Sequence, residues 1–414
     1  MVPSTMDTQW LLDALKQPVQ QHKERLIATC SGVEWAGLIS FADYHGITPL
    51  LCRQLQEDAE LWSRIPTAAQ EQLQQRYLDS VRRNLLIYQH FLKFIKMLQK
   101  LDIPVILLKG AFLAHVVYRD HALRPMVDVD ILVREGDILR TEEVLVALGY
   151  ELKEWKHREW CLKHHYHLSY VHPTIHVTIE VHWHVQRPEA SYRVPIEELW
   201  SQTQPVTIAG VELLGLSIEH LLLHISLHNA KHGFGVGLRP FCDLAALLMR
   251  HKEQIEWKRV QAEAERWQIT KAVYLSLYFT HDFFDCVPDH ILTLFDPGNV
   301  DAGILAVARD QVLSFGRARA RLSPAFLELW EAKPNQNKFT GLLQRVFLPP
   351  DVMASIYNLS PDSKRVYLAY PLRVFDLLVR YPAIVQKMVR KDEATLDWAK
   401  QSNSVDALRQ WLAG

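Results

Sequence analysis

Apolar residues recur three and four positions apart through the first hundred residues, the spacing of helices that bury one stripe and wet the other. The segment from about Thr8 to Lys100 therefore reads as helical. Its clearest member runs from about Thr67 to Lys100, with Leu85, Tyr88, Leu92, Ile95 and Leu98 along the apolar face and Arg82, Arg83, Lys93, Lys96 and Lys100 on a solvated one. After Asp102 and Pro104 the pattern changes. Val105 to Leu108 is a short apolar run suited to a buried strand, Gly110 opens a helix through about Tyr118, and a loop from Arg119 to Val127 leads into a second strand. An amphipathic helix follows near Asp137 to Leu148, with Gly149 as its C-cap. Two more strands, roughly Tyr166 to Val171 and Ile175 to Trp183, are joined by a hairpin turn at His172-Pro-Thr174. Beyond about Ser217 the period is helical again. The expected fold is α+β, with an α/β core over residues 101–215 between helical regions over 1–100 and 216–414.

The alternation of the second strand carries the chemistry. In Met126-Val-Asp-Val-Asp-Ile-Leu-Val133, Asp128 and Asp130 project from one face while Val127, Val129 and Ile131 point to the core. Carboxylates this close repel unless a cation lies between them, so the pair suits a hard divalent ion. Further on, Ile175, Val177, Ile179 and Val181 face the core, which sets His176, Thr178, Glu180 and His182 on the other face and brings in a third carboxylate.

Composition narrows the classes. With 414 residues, 49% hydrophobic and 22% charged, the chain can bury a large core, and its length suits two or three domains. A formal net charge of -1 gives no global footprint for nucleic acid or anionic membrane and favours a small or neutral acceptor. Cys30, Cys52, Cys161, Cys242 and Cys286 are scattered with no Cys-x-x-Cys pair, as expected of a reducing cytoplasm and of a chain without a thiolate zinc site. Met1 to Gln17 lacks a charged segment followed by an apolar run, and no stretch reaches the length of a membrane span, so neither export nor an anchor is expected.

The order of strand, glycine turn, helix, paired aspartates and a later strand carboxylate resembles the polymerase-β-like nucleotidyltransferases. More closely, Leu107-Leu-Lys-Gly-Ala111, Leu123-Arg-Pro-Met-Val-Asp-Val-Asp-Ile-Leu-Val133, Ala147-Leu-Gly-Tyr150 and Ile179-Glu-Val-His-Trp183 look like the bacterial family called uncharacterised nucleotidyltransferases, and the likeness extends through His228-Asn-Ala-Lys-His232 and Asp243-Leu-Ala-Ala-Leu247. The resemblance implies a small mixed-sheet core and two Mg2+ ions, with Mn2+ as the alternative, held by Asp128, Asp130 and Glu180. It also implies a nucleoside triphosphate such as ATP as substrate, with pyrophosphate leaving; the expected acceptor is a small molecule or peptide product, with RNA, and so an RNA-modifying nucleotidyltransferase, as the less favoured alternative. Where superfamily members carry Gly-Ser or Gly-Gly, this chain has Lys109-Gly110. The helix opening at Gly110 offers unpaired N–H groups to an anion and Lys109 adds a charge. Arg124 is a second candidate for the triphosphate, with a surface ion pair as the alternative. A metal-dependent nuclease and a non-catalytic nucleotide-binding relative are the other readings.

His220, His224, His228 and His232 recur every fourth residue, which sets them along one broad helix face, either chelating zinc or bordering the active-site cleft. The resemblance favours the cleft for His228, Lys231 and His232. Asp243, in an apolar helix, is read as orienting the nucleotide, as a base toward the acceptor, or as ion-paired to Arg239 four residues earlier. Arg317, Arg319 and Arg321 make a basic cluster, Pro349-Pro350 a loop, and Val366 to Arg390 a packed helix pair, with a membrane surface or partner as the alternative.

Overall fold

The computed structural model describes residues 4–153, 158–188, 190–298, 300–314, 348, 350, 353–354, 357, 359, 363–380 and 404–414. The cluster Arg317, Arg319 and Arg321 lies outside them, as do Pro349 and the end of the Val366 to Arg390 segment. Of that segment, a helix over Ala369–Arg380 is described, and its Leu372, Val374 and Phe375 are exposed.

The chain before residue 100 is helical, as its spacing predicts, and ends in a helix over Thr67–Gln99. Tyr88, Ile95 and Leu98 are buried on it together with Ile87, Phe91 and Phe94, whereas Leu85 is 50% exposed. The buried stripe passes one position to the side of Leu85, through Asn84. The polar face is not wholly solvated either, since Arg83 donates to the carbonyls of Ile175 (3.3 Å) and His176 (2.6 Å).

Seven strands form one mixed sheet: β1 Ile106–Leu107, β2 Asp128–Leu132, β3 Glu151–Leu152, β4 His167–Val171, β5 Thr178–His182, β6 Thr203–Ile208 and β7 Val211–Leu216, in the order β3-β4-β5-β2-β1-β7-β6. β1 is short because Pro104 precedes it and the chain turns at Lys109, yet it is central, antiparallel to β2 and parallel to β7. β4 and β5 form the expected antiparallel hairpin. The amphipathic helix spans Ile138–Ala147, and Gly149 at φ +85 supplies the left-handed turn that closes it. The helix after β1 is α-helical over Lys109–Phe112 and widens to a π-helix over Leu113–Tyr118, which Arg119 ends at φ +57. Helices over Ile218–Lys231, Arg239–His251 and Thr270–Phe284 pack on one another, the first also against β7, with Phe234, Phe241, Phe279 and Phe283 in mutual ring contact.

His45 ties the N-terminal helices to this bundle, its buried Nδ1 accepting from the Leu238 amide at 3.1 Å. Burial lowers its pKa from 6.5 to about 4. Between those values the unfolded chain binds more protons than the folded one, so this contribution is complete above pH 6.5 and lost as the pH falls to 4, by about 3 kcal/mol in all. Urea unfolding at pH 7 and pH 4.5 should show a loss that is smaller by that order in His45→Gln than in the parent.

Candidate functional site

Sheet register assembles the acidic half of the site. β2 and β5 run parallel with Asp130 directly opposite Glu180, and Asp128, two residues back on β2, shares their face. Val129 and Ile131 are fully buried beneath, as alternation requires. Val127 departs from it: pairing begins only at Asp128 opposite Thr178, so Val127 is not held in the pleat and is 67% exposed at the cavity rim.

Asp128, Asp130 and Glu180 line a cavity of about 300 Å³ together with Lys109, Gly110, Arg124, Tyr166, His167, His182, His228, His232 and Arg239. His182 Nε2 lies 3.0 Å from Asp130 Oδ1 and 3.4 Å from Glu180 Oε2, and Lys109 Nζ lies 3.6 Å from Asp130 Oδ2. Burial pushes Asp128 up to about 6, reinforced by the like charges of Asp130 and Glu180. Burial acts the same way on Asp130, but the Lys109 charge and the His182 contact outweigh it and hold that carboxyl well below the usual range. One carboxylate is thus already compensated by the protein, while its neighbour carries charge the site does not balance.

The opposite wall is basic. Arg124 donates through Nε to both Asp243 oxygens at 3.1 Å and pairs through Nη2 at 3.1 Å, while Tyr118 donates to Asp243 Oδ1 at 3.0 Å. Asp243 is therefore the partner of Arg124, not of Arg239. Although Arg239 is close along the helix, it turns away to donate to the Pro125 carbonyl at 3.1 Å and reaches the cavity instead. Burial lowers the Arg239 pKa, and the neighbouring Arg124 charge adds to the effect, so this guanidinium is held where an anion would relieve it. Gly110 leaves room for this guanidinium: a Cβ there would meet Arg124 Nη1 at 2.8 Å, so the arginine would have to shift.

One amide makes three of the bonds that hold the loop before Asp128. Asn84, fully buried on the long helix, donates through Nδ2 to the carbonyls of His121 (2.5 Å) and Arg124 (2.9 Å) and accepts at Oδ1 from the Met126 amide (3.0 Å). Ser80 adds a bond to the Ala122 carbonyl at 2.6 Å.

The expected histidine row divides. His228 and His232 line the cavity with rings 4.5 Å apart, but His220 is fully buried against Glu263 (3.1 Å) and stacked on Trp267, away from it. Four-residue spacing drifts around the helix, and the first turn has rotated onto the bundle. Lys231 stands one layer back, donating to the Val185 carbonyl at 2.8 Å with its Nζ 4.0 Å from the Tyr166 ring centre. Burial, then the Lys109 charge, lowers its pKa to about 7. Asp243 is likewise behind the wall, acting on the cavity through Arg124.

A family model described as an uncharacterised nucleotidyltransferase matches residues 31–285, more than half of the chain and every residue of this cavity. The chain belongs to that family. No curated protein and no solved structure matches it. Membership supports nucleotidyl transfer and implies a nucleoside triphosphate as substrate. For a nucleotidyltransferase, a cavity with carboxylates on one wall and arginines on the other is chemically suited to a cation and a polyphosphate together. Arg239, read from the sequence only as an ion-pair partner, and Tyr166, His167 and His182, given no role there, also line the cavity, and Asn84, which braces the loop ahead of Asp128, was missed as well. For His167 the signal was present, because it sits at the start of a strand that alternates in step with Glu180 and His182. Among the described residues, no helix is long and apolar enough to cross a membrane.

Proposed function

We propose that this chain is a cytoplasmic, polymerase-β-like nucleotidyltransferase that moves a nucleoside monophosphate from a nucleoside triphosphate to an acceptor hydroxyl or phosphate on a small molecule or peptide product, releasing pyrophosphate. The observation that carries the reading is the register of Asp130 against Glu180, with Asp128 on the same face and a basic wall across about 300 Å³ of cavity. Two divalent cations, Mg2+ or Mn2+, fit the residues present, because Asp128 is driven up by burial and by two like charges, the signature of a carboxylate cluster short of counter-charge. Asp128, Asp130 and Glu180 would hold them. When bound, such ions activate the attacking oxygen and neutralise charge on the α-phosphate.

The chain's own groups supply the rest. Arg124 and Arg239 face the β- and γ-phosphates and take up charge as pyrophosphate leaves. Asp243 keeps the Arg124 guanidinium in one orientation, so little is lost in ordering it when the triphosphate arrives. Lys109 spans the walls: paired to Asp130 without ligand, it is free to turn to phosphate once a cation takes over that carboxylate.

Incubating the full chain with each of the four ribonucleoside triphosphates and Mg2+, with and without cell extract, tests this. Pyrophosphate that forms only with a divalent cation, and more with extract, is the expected result. Strand cleavage without pyrophosphate would replace the reading with a nuclease, and nucleotide binding with no turnover under any condition would leave a binding protein.

A further inference from the structure

We infer that His167, Glu180 and His182, with Asp130 as a fourth donor, form a binding site for one borderline divalent cation of the Zn2+ and Co2+ class at the edge of the carboxylate cluster. Its part in transfer rests on the function proposed above. Its ligand set does not.

The sheet builds the site. β4, β5 and β2 are adjacent, His167 on β4 is directly opposite His182 on β5, and Asp130 on β2 is directly opposite Glu180. Glu180 and His182 are two residues apart, so all four side chains project from one face. Ligand atoms of the two histidines and Glu180 lie within 4.8 Å of one another. His182 Nε2 and His167 Nε2 are 3.4 and 4.0 Å from Glu180 Oε2, and His182 Nε2 is 3.0 Å from Asp130 Oδ1. Two ligands bound tetrahedrally to a common zinc at its usual bond lengths stand about 3.4 Å apart, so the two contacts to Glu180 are already near that spacing, while separations within the group of up to 4.8 Å would close by about 1.4 Å when an ion is shared. The imidazoles are stacked, centroids 4.8 Å apart and planes at 29°, and both Nε2 atoms lie within 4.0 Å of Glu180 Oε2. On the same face Ser169 donates to Glu180 Oε1 at 3.2 Å and thereby fixes Oε2 as the oxygen turned toward the imidazoles.

Donor chemistry sets the class of ion. Mg2+ takes oxygen ligands and keeps much of its water, whereas two imidazoles and a carboxylate are the donors of Zn2+ and Co2+. Because Asp130 and Glu180 are the same carboxylates proposed above for Mg2+, the two imidazoles decide which ion is held here without nucleotide, and they favour the borderline one.

The test uses full-length, untagged, chelator-treated protein titrated with Co2+ alone, without nucleotide. One equivalent should bind with the intensified visible absorption of low-coordinate, imidazole-ligated Co2+, Zn2+ should displace it, and a tenfold excess of Mg2+ should not. His167→Ala, at a partly exposed position, should weaken Co2+ binding by about tenfold or more. His182→Asn should do the same if it folds, while Asp128→Asn should keep the spectrum. Featureless absorption, displacement by Mg2+, or a Co2+ affinity indifferent to His167→Ala would overturn the inference. Co2+ bound as described in a protein that transfers no nucleotide would retain this site and overturn only the transfer reading, and Mg2+-dependent transfer with no Co2+ uptake would do the reverse.

Discussion

Asp128→Asn should fold as well as the parent chain and transfer nucleotide about a thousandfold more slowly or worse, the equivalent of about 4 kcal/mol of lost transition-state stabilisation. The two halves of this expectation have one cause. Asp128 is pushed up to about 6 by burial and by Asp130 and Glu180, so removing its charge relieves repulsion in the resting protein and removes a cation ligand from the working one. A thermal midpoint at or above the parent value, alongside pyrophosphate release near background, is the paired result. Parent-like transfer would remove Asp128 from the chemistry. Asp130→Asn would be a poorer probe, because it also strips the partner from Lys109 and His182.

Asp243→Ala is expected to lower stability by about 3 to 5 kcal/mol, because it leaves the Arg124 guanidinium buried without its carboxylate. Asp243 and Arg124 are 2% and 11% exposed at their side chains, so water cannot replace the lost partner cheaply. Urea unfolding measures the loss. Asp243→Asn, which keeps an acceptor for Tyr118 and Arg124, should cost less. Pairing Asp243→Ala with Arg124→Met removes both charges and should recover much of the stability, while transfer stays impaired. A double variant as unstable as Asp243→Ala would show that the cost is a cavity rather than an unpaired charge.

Asp128, Asp130 and Glu180 were legible in the sequence because a period of two depends only on neighbours along the strand. The strand order is not of that kind. That His167 stands beside His182, and Asp130 beside Glu180, depends on β4, β5 and β2 being adjacent in this register, which no local pattern states. The Asp243 pair fails for the same reason. Spacing along a helix offered Arg239, and the fold supplied Arg124 from 119 positions away. β3, β6 and β7 escaped notice on other grounds: β3 is two residues long, β6 is an edge strand carrying Pro205 and several polar residues, and its partner β7 is broken by Gly215. Asn84 was hidden by its setting, a polar residue one position from a stripe read through Leu85. Only burial and three backbone partners reveal what it does.

That asparagine makes the two walls of the cavity one mechanical part. Its amide grips the chain at His121, Arg124 and Met126, immediately ahead of Asp128, so the arginine proposed to meet anions and the aspartates proposed to meet cations are hung from the same point on a helix of 33 residues. Tilting that helix would displace both electrodes of the pocket together rather than open one against the other, and the spacing between them is set before any nucleotide arrives.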